Sequence, residues 1–221
     1  MIAMKKSSKT FTLSLCTLLC GVMGILTSCE DHTEETDNSL RVGNIYLSDN
    51  RVVSPAGYDP KHDDAVGVIY YVGHDTALVV SKWEMGSYIY SDSLGAISDV
   101  DGEAMTLCGQ TNTAAIQASE FKTHFPALIA LSSYPSSVKG WVLPSAGDLQ
   151  AISANLGVVA SSMDLIGGEP FGREMYFSCS QDGTSAATEQ EYYYTVSLYN
   201  GYVTSTHKSA ASTLRLILPV K

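Results

Sequence analysis

Basic residues are scarce in this sequence: 13 lysines and arginines stand against 23 aspartates and glutamates, so the formal net charge at pH 7 is −10. A protein that binds nucleic acid through its phosphates needs clustered lysine and arginine to displace counterions. The composition therefore argues against a nucleic-acid partner. A length of 221 residues is enough for one domain with a sizeable core.

Sequence patterns of common catalytic and cofactor sites are missing as well. There is no Gly-x-Ser-x-Gly, no His-Glu-x-x-His and no Gly-Lys-Ser/Thr phosphate loop. His62-Asp63-Asp64 and the segment SDVDGE at residues 98–103 carry potential metal ligands, but short acidic stretches of this kind are more typical of solvated turns. We expect a protein that is not an enzyme and that holds neither a metal nor another cofactor.

A long uninterrupted hydrophobic run is also missing. The most apolar stretch, FTLSLCTLLCGVMGIL at residues 11–26, is broken by Thr, Ser and Gly and is short for a membrane-spanning helix. Three lysines precede it and small residues follow it, which predicts a secretory signal peptide over residues 1–28. Removal of this segment takes away lysines but no acidic residue, so the mature chain is still more acidic.

The end of the signal peptide, LTSC at residues 26–29, resembles the bacterial lipobox. In a lipobox, cleavage falls before the cysteine and the cysteine receives the lipid. The resemblance implies that Cys29 is the mature N-terminus and carries acyl chains such as palmitate, which anchor the protein in the outer membrane. An ordinary signal peptide with a chance cysteine at the cleavage site is the alternative.

The residues after Cys29, EDHTEETDNS, are charged and lack aromatics, which predicts a solvated acidic tether over residues 29–42. Acidic residues directly after the lipidated cysteine resemble the surface-export signal of Bacteroidetes lipoproteins. The resemblance implies a location at the cell surface, with a periplasmic orientation as the alternative. Residues 43–221 then form a single domain.

Cys108 and Cys179 are the two cysteines of this domain. An exported pair could form a disulfide. Their surroundings, MTLCG and YFSCSQ, are apolar or small and are typical of lone buried thiols. The sequence leaves both possibilities open.

Strand and helix signals alternate along the domain. A short strand is predicted in VGNIYLS, and an antiparallel pair in AVGVIYYV and ALVVSKW, which are separated by the polar turn GHDT. A long loop is predicted over residues 86–111, a helix in TNTAAIQASEF, and a second helix that begins at Pro126. The last strand, TLRLILPV, alternates three leucines with Arg215 and Ile217.

The stretch GWVLPSAGDLQAISANLG, residues 140–157, predicts a strand that passes directly into a capped helix. Pro144 ends the strand, because proline cannot donate to the ladder. Ser145 then occupies the N-cap position, with Asp148 three residues further on near the exposed amides of the first turn. We expect the helix to end at Gly157.

The segment EYYYTVSLYNGYVTSTH alternates around Asn200-Gly201, a strong hairpin signal. A two-residue turn places Tyr199 opposite Tyr202, and one face then combines tyrosines with hydroxyl side chains. Tyrosine rings suit sugars and protein partners alike. The candidate binding residues are therefore Tyr193, Tyr199 and Tyr202, with Trp83 near the long loop as a second candidate. Ordinary cross-strand packing is the alternative.

Taken in chain order, GQTNTAAI, GWVLPSAGDLQAI, YFSCSQ, the YNGY hairpin and LRLILPV resemble a family of bacterial exported domains. The family is typified by the C-terminal domain of a Legionella collagen-like adhesin. Phe177 and Cys179 depart from its second motif, a Tyr-Trp-Ser-Ser-Thr-like segment, and Arg215 matches its last motif only loosely. Its first motif, Trp-x-Leu-Pro-Ser/Thr-x-x-Glu/Asp-Leu, is matched by Trp141, Leu143, Pro144, Ser145, Asp148 and Leu149.

This resemblance implies an α+β domain like that of C-type lectins, with mostly antiparallel strands and two or three short helices. It also implies that the Trp-Leu-Pro-Ser motif has an architectural role. The function we expect is that of a surface-anchored lipoprotein whose domain binds a glycan or a protein partner in adhesion or envelope assembly. The alternative is a structural subunit of a larger surface assembly, such as a fimbria, without a soluble ligand. The sequence does not indicate the oligomeric state.

Overall fold

The computed structural model describes residues 37–221. The predicted signal peptide, the lipobox with Cys29 and the first part of the predicted tether lie outside the described residues. Residues 37–221 fall within one unit by their contacts. Among them, no helix has the length and apolar character needed to cross a membrane.

Eight strands form one sheet in the order β2-β1-β3-β4-β8-β5-β6-β7. Their bounds are β1 Ile45–Leu47, β2 Val52–Val53, β3 Ala65–Val72, β4 Ala77–Ile89, β5 Met175–Gln181, β6 Tyr192–Ser197, β7 Val203–His207 and β8 Ala211–Val220. All neighbouring strands pair antiparallel except β5 and β8, which run parallel with Tyr176 opposite Thr213. The predicted α+β class with a mostly antiparallel sheet is therefore confirmed.

Five α-helices accompany the sheet within the described residues, more than the two or three predicted. They are α1 Gly109–Ala118, α2 Pro126–Ser132, α3 Ala146–Ala154, α4 Leu156–Leu165 and α5 Ala186–Glu191. Two short 3-10 helices, Pro55–Gly57 and Lys122–His124, complete the list. The predicted stop at Gly157 is wrong: α3 ends at Ala154, and Gly157 lies in the exposed first turn of α4, where a β-carbon added to it would have no neighbour within 4 Å.

A hydrophobic core lies on each face of the sheet, because successive strand side chains point to opposite faces. Leu214, Leu216 and Leu218 of β8 join the first core, which also contains residues of α1 and α2. Ile217 joins the second core, which contains residues of α3 and α4. The sheet is thus covered by helices on both faces, and each strand of its centre is buried on both sides.

The last residues of the predicted tether contact the domain. The side-chain amide of Asn44 donates to the carbonyl oxygens of Asp37 and Ser39 at 2.8 and 2.9 Å. The Oδ1 atom of Asn38 accepts a hydrogen bond from the N–H of Ser54 at 3.0 Å. Residues 37–39 therefore belong to the domain, because backbone and side-chain groups of this segment form hydrogen bonds with Asn44 and Ser54.

The long loop is shorter than predicted at both ends. Strand β4 continues to Ile89, and α1 begins at Gly109 with Cys108 in the N-cap position, so residues 90–108 are irregular. Asn112 lies inside α1 rather than at its N-terminus. It is buried inside α1, where its side chain accepts from the N–H of Asp101 at 2.8 Å and donates to the carbonyl of Asp101 at 3.0 Å.

The predicted C-terminal hairpin forms, but its loop is longer than two residues. Val196 lies opposite Val203, and the N–H of Ser197 donates to the carbonyl of Tyr202 at 2.9 Å. Residues 198–201 therefore form a four-residue loop, in which Gly201 has a φ of 70°. The prediction that Tyr199 lies opposite Tyr202 is wrong. The two faces of the hairpin keep their predicted members, because the register differs by an even number of residues.

Candidate functional site

The Trp-Leu-Pro-Ser motif forms a tight corner between the sheet and α3. Val142 makes a single bridge to Ile217, with backbone hydrogen bonds of 2.8 and 3.1 Å, in place of the predicted strand. Ser145 caps α3: its Oγ accepts from the N–H of Asp148 at 3.1 Å, and Oδ2 of Asp148 accepts from the N–H of Ser145 at 2.8 Å. The predicted N-cap is therefore confirmed, and it is a complete capping box.

The carboxylate of Asp148 is buried and accepts further hydrogen bonds. They come from the Oγ of Ser145 at 2.6 Å, the N–H of Gly109 at 3.0 Å and the hydroxyl of Tyr70 at 3.0 Å. Burial raises the pKa of Asp148, and the hydrogen bonds oppose that rise. One carboxylate thus joins β3, α1 and α3. Because these donors occupy both of its oxygens, Asp148 serves architecture rather than chemistry.

Cys108 and Cys179 are unbonded thiols, and both are buried. The Sγ of Cys108 accepts from the side-chain amide of Asn112 at 3.4 Å, and the Sγ of Cys179 lies 3.6 Å from the carbonyl oxygen of Leu143. Burial raises the pKa of Cys108 to about 11 and that of Cys179 well above its ordinary value. The thiolate is the nucleophilic form, so both side chains act as packing residues.

The three tyrosines predicted as binding residues are not exposed together at the surface. Tyr193 is fully buried in the first core, where its ring lies 4.9 Å from that of Tyr90 and its hydroxyl contacts the Oγ of Ser212 at 2.9 Å. A ligand at the surface cannot contact Tyr193, so this candidate is corrected. Tyr199 and Tyr202 lie at the hairpin tip with 66 and 64 % of their surface exposed.

Trp83, the fourth candidate, lies on β4 and is 47 % exposed. The ammonium of Lys82 lies 5.3 Å from the centre of its ring. Trp83 lines a cleft of about 130 Å³ together with Tyr134, Ser136 and other side chains of the loop after α2. The structure therefore places Trp83 beside residues that the sequence did not single out for binding, and away from the hairpin tip.

A second cleft, of about 250 Å³, adjoins the first and shares Tyr134 and Ser136 with it. Trp141 lines this second cleft, with its ring 5.2 Å from that of Tyr134 in an edge-to-face arrangement. The indole N–H of Trp141 is buried and finds no hydrogen-bond acceptor within residues 37–221. We call the two clefts together the aromatic cleft. It comprises the three rings and their polar neighbours Asp64, Lys82, Gln117, Ser132, Ser136, Ser137 and Lys139.

Sequence reasoning did not find Tyr134 and gave Trp141 only a structural role. The one local signal at Tyr134 is its position in SSYPSS, a turn-like segment that follows α2. Trp83 and Tyr134 lie close together because α2 packs against β4. No local sequence pattern predicts this packing. Three aromatic residues far apart in the chain are therefore brought together only by the tertiary fold.

The acidic segments considered as metal ligands, at residues 62–64 and 98–103, form local hydrogen bonds within turns. The Nδ1 atom of His62 lies 2.7 Å from Oδ2 of Asp59, and Oδ1 of Asp101 accepts from the N–H of Glu103 at 2.8 Å. Within the part of the chain that the structure describes, no three His, Cys, Asp or Glu side chains come together as a metal-binding group.

No family model matches the chain, and no curated protein matches it. The resemblance to the exported adhesin-type domains stays a prediction from its motifs.

Proposed function

We propose that residues 43–221 form a C-type-lectin-like, non-catalytic binding domain whose aromatic cleft takes a glycan. The observation that carries the proposal is the meeting of Trp83, Tyr134 and Trp141 around two adjoining clefts. A sugar ring offers an apolar C–H face that stacks on an aromatic ring, and hydroxyls at its edge that need polar partners. Aromatic rings bordered by serine, glutamine and lysine side chains meet both requirements.

The proposed setting is the outer surface of a bacterial cell, with the domain attached to the membrane through acyl chains on Cys29. The lipobox and the acidic segment after it support this setting. A binding domain at the end of a tether can contact glycans of a host or of the envelope, which is the role proposed in adhesion or envelope assembly.

The proposal is tested with the domain of residues 37–221 on a glycan array, followed by calorimetric titration of the best ligand. Replacement of Trp83 by Ala should weaken binding at least about tenfold, because stacking residues at the centre of a site carry much of the binding energy. Y199A is the control, since Tyr199 is also an exposed aromatic residue, more exposed than Trp83, but lies at the hairpin tip.

Thermal unfolding of both variants should stay close to that of the wild type, because neither side chain belongs to a hydrophobic core. Absence of binding to any glycan, or equal losses for W83A and Y199A, would refute the aromatic cleft as a glycan site.

The alternative function, a structural subunit without a soluble ligand, is favoured by one observation. The sheet ends in a strand, β7, whose outer edge has no partner among residues 37–221.

A further inference from the structure

The outer edge of β7 presents unpaired backbone groups in a regular row. The N–H of Ser197 bonds to the carbonyl of Tyr202, so Thr204 and Thr206 also face β6, because every second residue of an antiparallel ladder is hydrogen-bonded to its neighbour. The N–H and C=O groups of Val203 and Ser205 and the N–H of His207 therefore point away from the sheet, whereas the C=O of His207 accepts from the N–H of Ala210 at 2.8 Å. Within residues 37–221, β7 pairs with β6 alone.

This edge lacks the devices that usually prevent strands of two molecules from pairing, which are charged side chains, proline and bulges. The sequence of β7, VTSTH, contains no lysine, no acidic residue and no proline, and its pairing with β6 is regular over five residues. Lys208, the next residue, does not protect the edge. Its ammonium is buried and donates to oxygens of Gly95, Gln181 and Glu189.

We propose that β7 pairs antiparallel with β7 of a second copy of this chain, so that two eight-stranded sheets join into one across a two-fold axis at Ser205. In this register Val203 lies opposite His207 of the second copy, and Ser205 lies opposite Ser205. The outward groups then form about four hydrogen bonds between the two chains. Thr204 and Thr206 face each other on one side of the sheet. On the other side, the hydroxyl of each Ser205 donates to the carboxylate of the buried Asp182 of its own chain at 2.5 Å.

A second copy fits this edge better than a fibre or another part of the same chain. A fibre would need β7 to pair with the opposite edge of the sheet, but β2 at that edge is only two residues long. Asp37 is bound to Asn44 next to β1, six strand spacings from β7, which is about 29 Å. The chain thus enters the domain on the far side from β7, and a two-fold pairing closes the free edge of both copies.

Sedimentation velocity of the domain of residues 37–221 over a wide concentration range tests the pairing. Wild type should show a monomer–dimer equilibrium. S205K should weaken dimerisation at least about tenfold, because two lysines would then lie directly opposite each other at the axis. S161K, a lysine at an exposed serine of α4, is the matched control and should dimerise like the wild type.

Disulfide trapping gives an independent readout. The two Ser205 α-carbons would lie about 5.5 Å apart, within the range that a disulfide bridges. S205C should therefore form a covalent dimer under mild oxidation, whereas S161C should stay monomeric, and the native thiols are buried. Circular dichroism of each variant confirms that it is folded. A wild type that is monomeric throughout, a dimer insensitive to S205K, or equal cross-linking of S205C and S161C would overturn the proposal.

Discussion

The hydroxyl of Tyr70 donates a hydrogen bond of 3.0 Å to Oδ1 of Asp148, which lies 78 residues further along the chain. Tyr70 belongs to β3, and Asp148 belongs to the first turn of α3. The other carboxylate oxygen of Asp148 accepts from the N–H of Gly109, the first residue of α1. The Tyr70–Asp148 hydrogen bond is therefore part of a network that fixes two helices to the sheet. The buried carboxylate of Asp148 therefore stabilises the corner that the Trp-Leu-Pro-Ser motif forms.

Replacement of Asp148 by Asn should lower the free energy of unfolding by about 3 kcal/mol. The asparagine amide has nearly the same shape, but it turns an N–H₂ group toward donors that need an acceptor, and it lacks the charge that strengthens these bonds. Urea unfolding measures the change. D164N, at an exposed aspartate of α4, should stay within about 0.5 kcal/mol of the wild type. Equal effects of the two substitutions would contradict the network.

Two helical glycines should respond in opposite directions to alanine. A β-carbon at Gly147 would lie 2.3 Å from the carbonyl oxygen of Thr106, which is backbone and cannot move aside cheaply. We expect G147A to lose about 2 kcal/mol or more of unfolding free energy. At Gly157 nothing lies within 4 Å, so G157A should gain about 0.5–1 kcal/mol from helix propensity. Thermal unfolding of both variants checks the pair, and a stable G147A would be the contrary result.

Lys208 should make the unfolding free energy depend on pH. Burial lowers its pKa to about 8 from the ordinary value of 10.5. Between these values the unfolded chain keeps a proton at Lys208 that the folded protein has released, so the contribution of this group to stability rises with pH. The slope approaches about 1.4 kcal/mol per pH unit.

The measurement is the difference in unfolding free energy between the wild type and K208M, from urea titrations across this pH range. The difference isolates Lys208, because the other titrating groups are common to both proteins. It should increase with pH, while K221M, at the exposed last residue, should follow the wild type throughout. A difference that is flat or falls with pH would contradict the assignment.

The thiols of Cys108 and Cys179 should be nearly inert in the folded protein. A pKa of about 11 in place of 9.0 lowers the thiolate fraction of Cys108 at pH 8 about a hundredfold. An aromatic disulfide reagent should therefore label both thiols at least about a hundred times faster in urea than in the native state. The folded protein also keeps the proton of Cys108 between pH 9 and 11, so its contribution to stability falls there, opposite in sign to that of Lys208. Rapid native labelling would be the contrary result.

Local patterns in the sequence are sufficient to predict the main strands and the N-cap of α3. The apolar runs of β3 and β4 and the alternation in β8 follow from side-chain geometry, and Ser145 with Asp148 marks the start of α3. The register of the C-terminal hairpin could not be predicted, because Asn200-Gly201 suits more than one loop length. Helix α5, six residues long, also has no apolar periodicity by which it could be recognised.

The site is harder to predict than the fold, because its rings come from segments that meet only in the tertiary structure. Tyr193 illustrates the difficulty: alternation places it correctly opposite the second core, but does not reveal that helices cover this face as well. Arg215 is a similar case. It is buried, with its guanidinium 4.3 Å from the ring of Phe171 and 2.6 Å from the carbonyl oxygen of Glu169. The residues next to Arg215 in the sequence do not indicate that the segment of Glu169 and Phe171 covers it.

The central position of β8 has a consequence for biogenesis. Strands β4 and β5 meet only through Ala211–Val220, so a growing polypeptide on the ribosome cannot unite the two halves of its sheet until these residues have emerged. Folding should therefore be post-translational and slow, as expected for contacts between distant segments. A nascent chain held open in this way suits the proposed export to the cell surface, because it has not yet closed into one compact sheet.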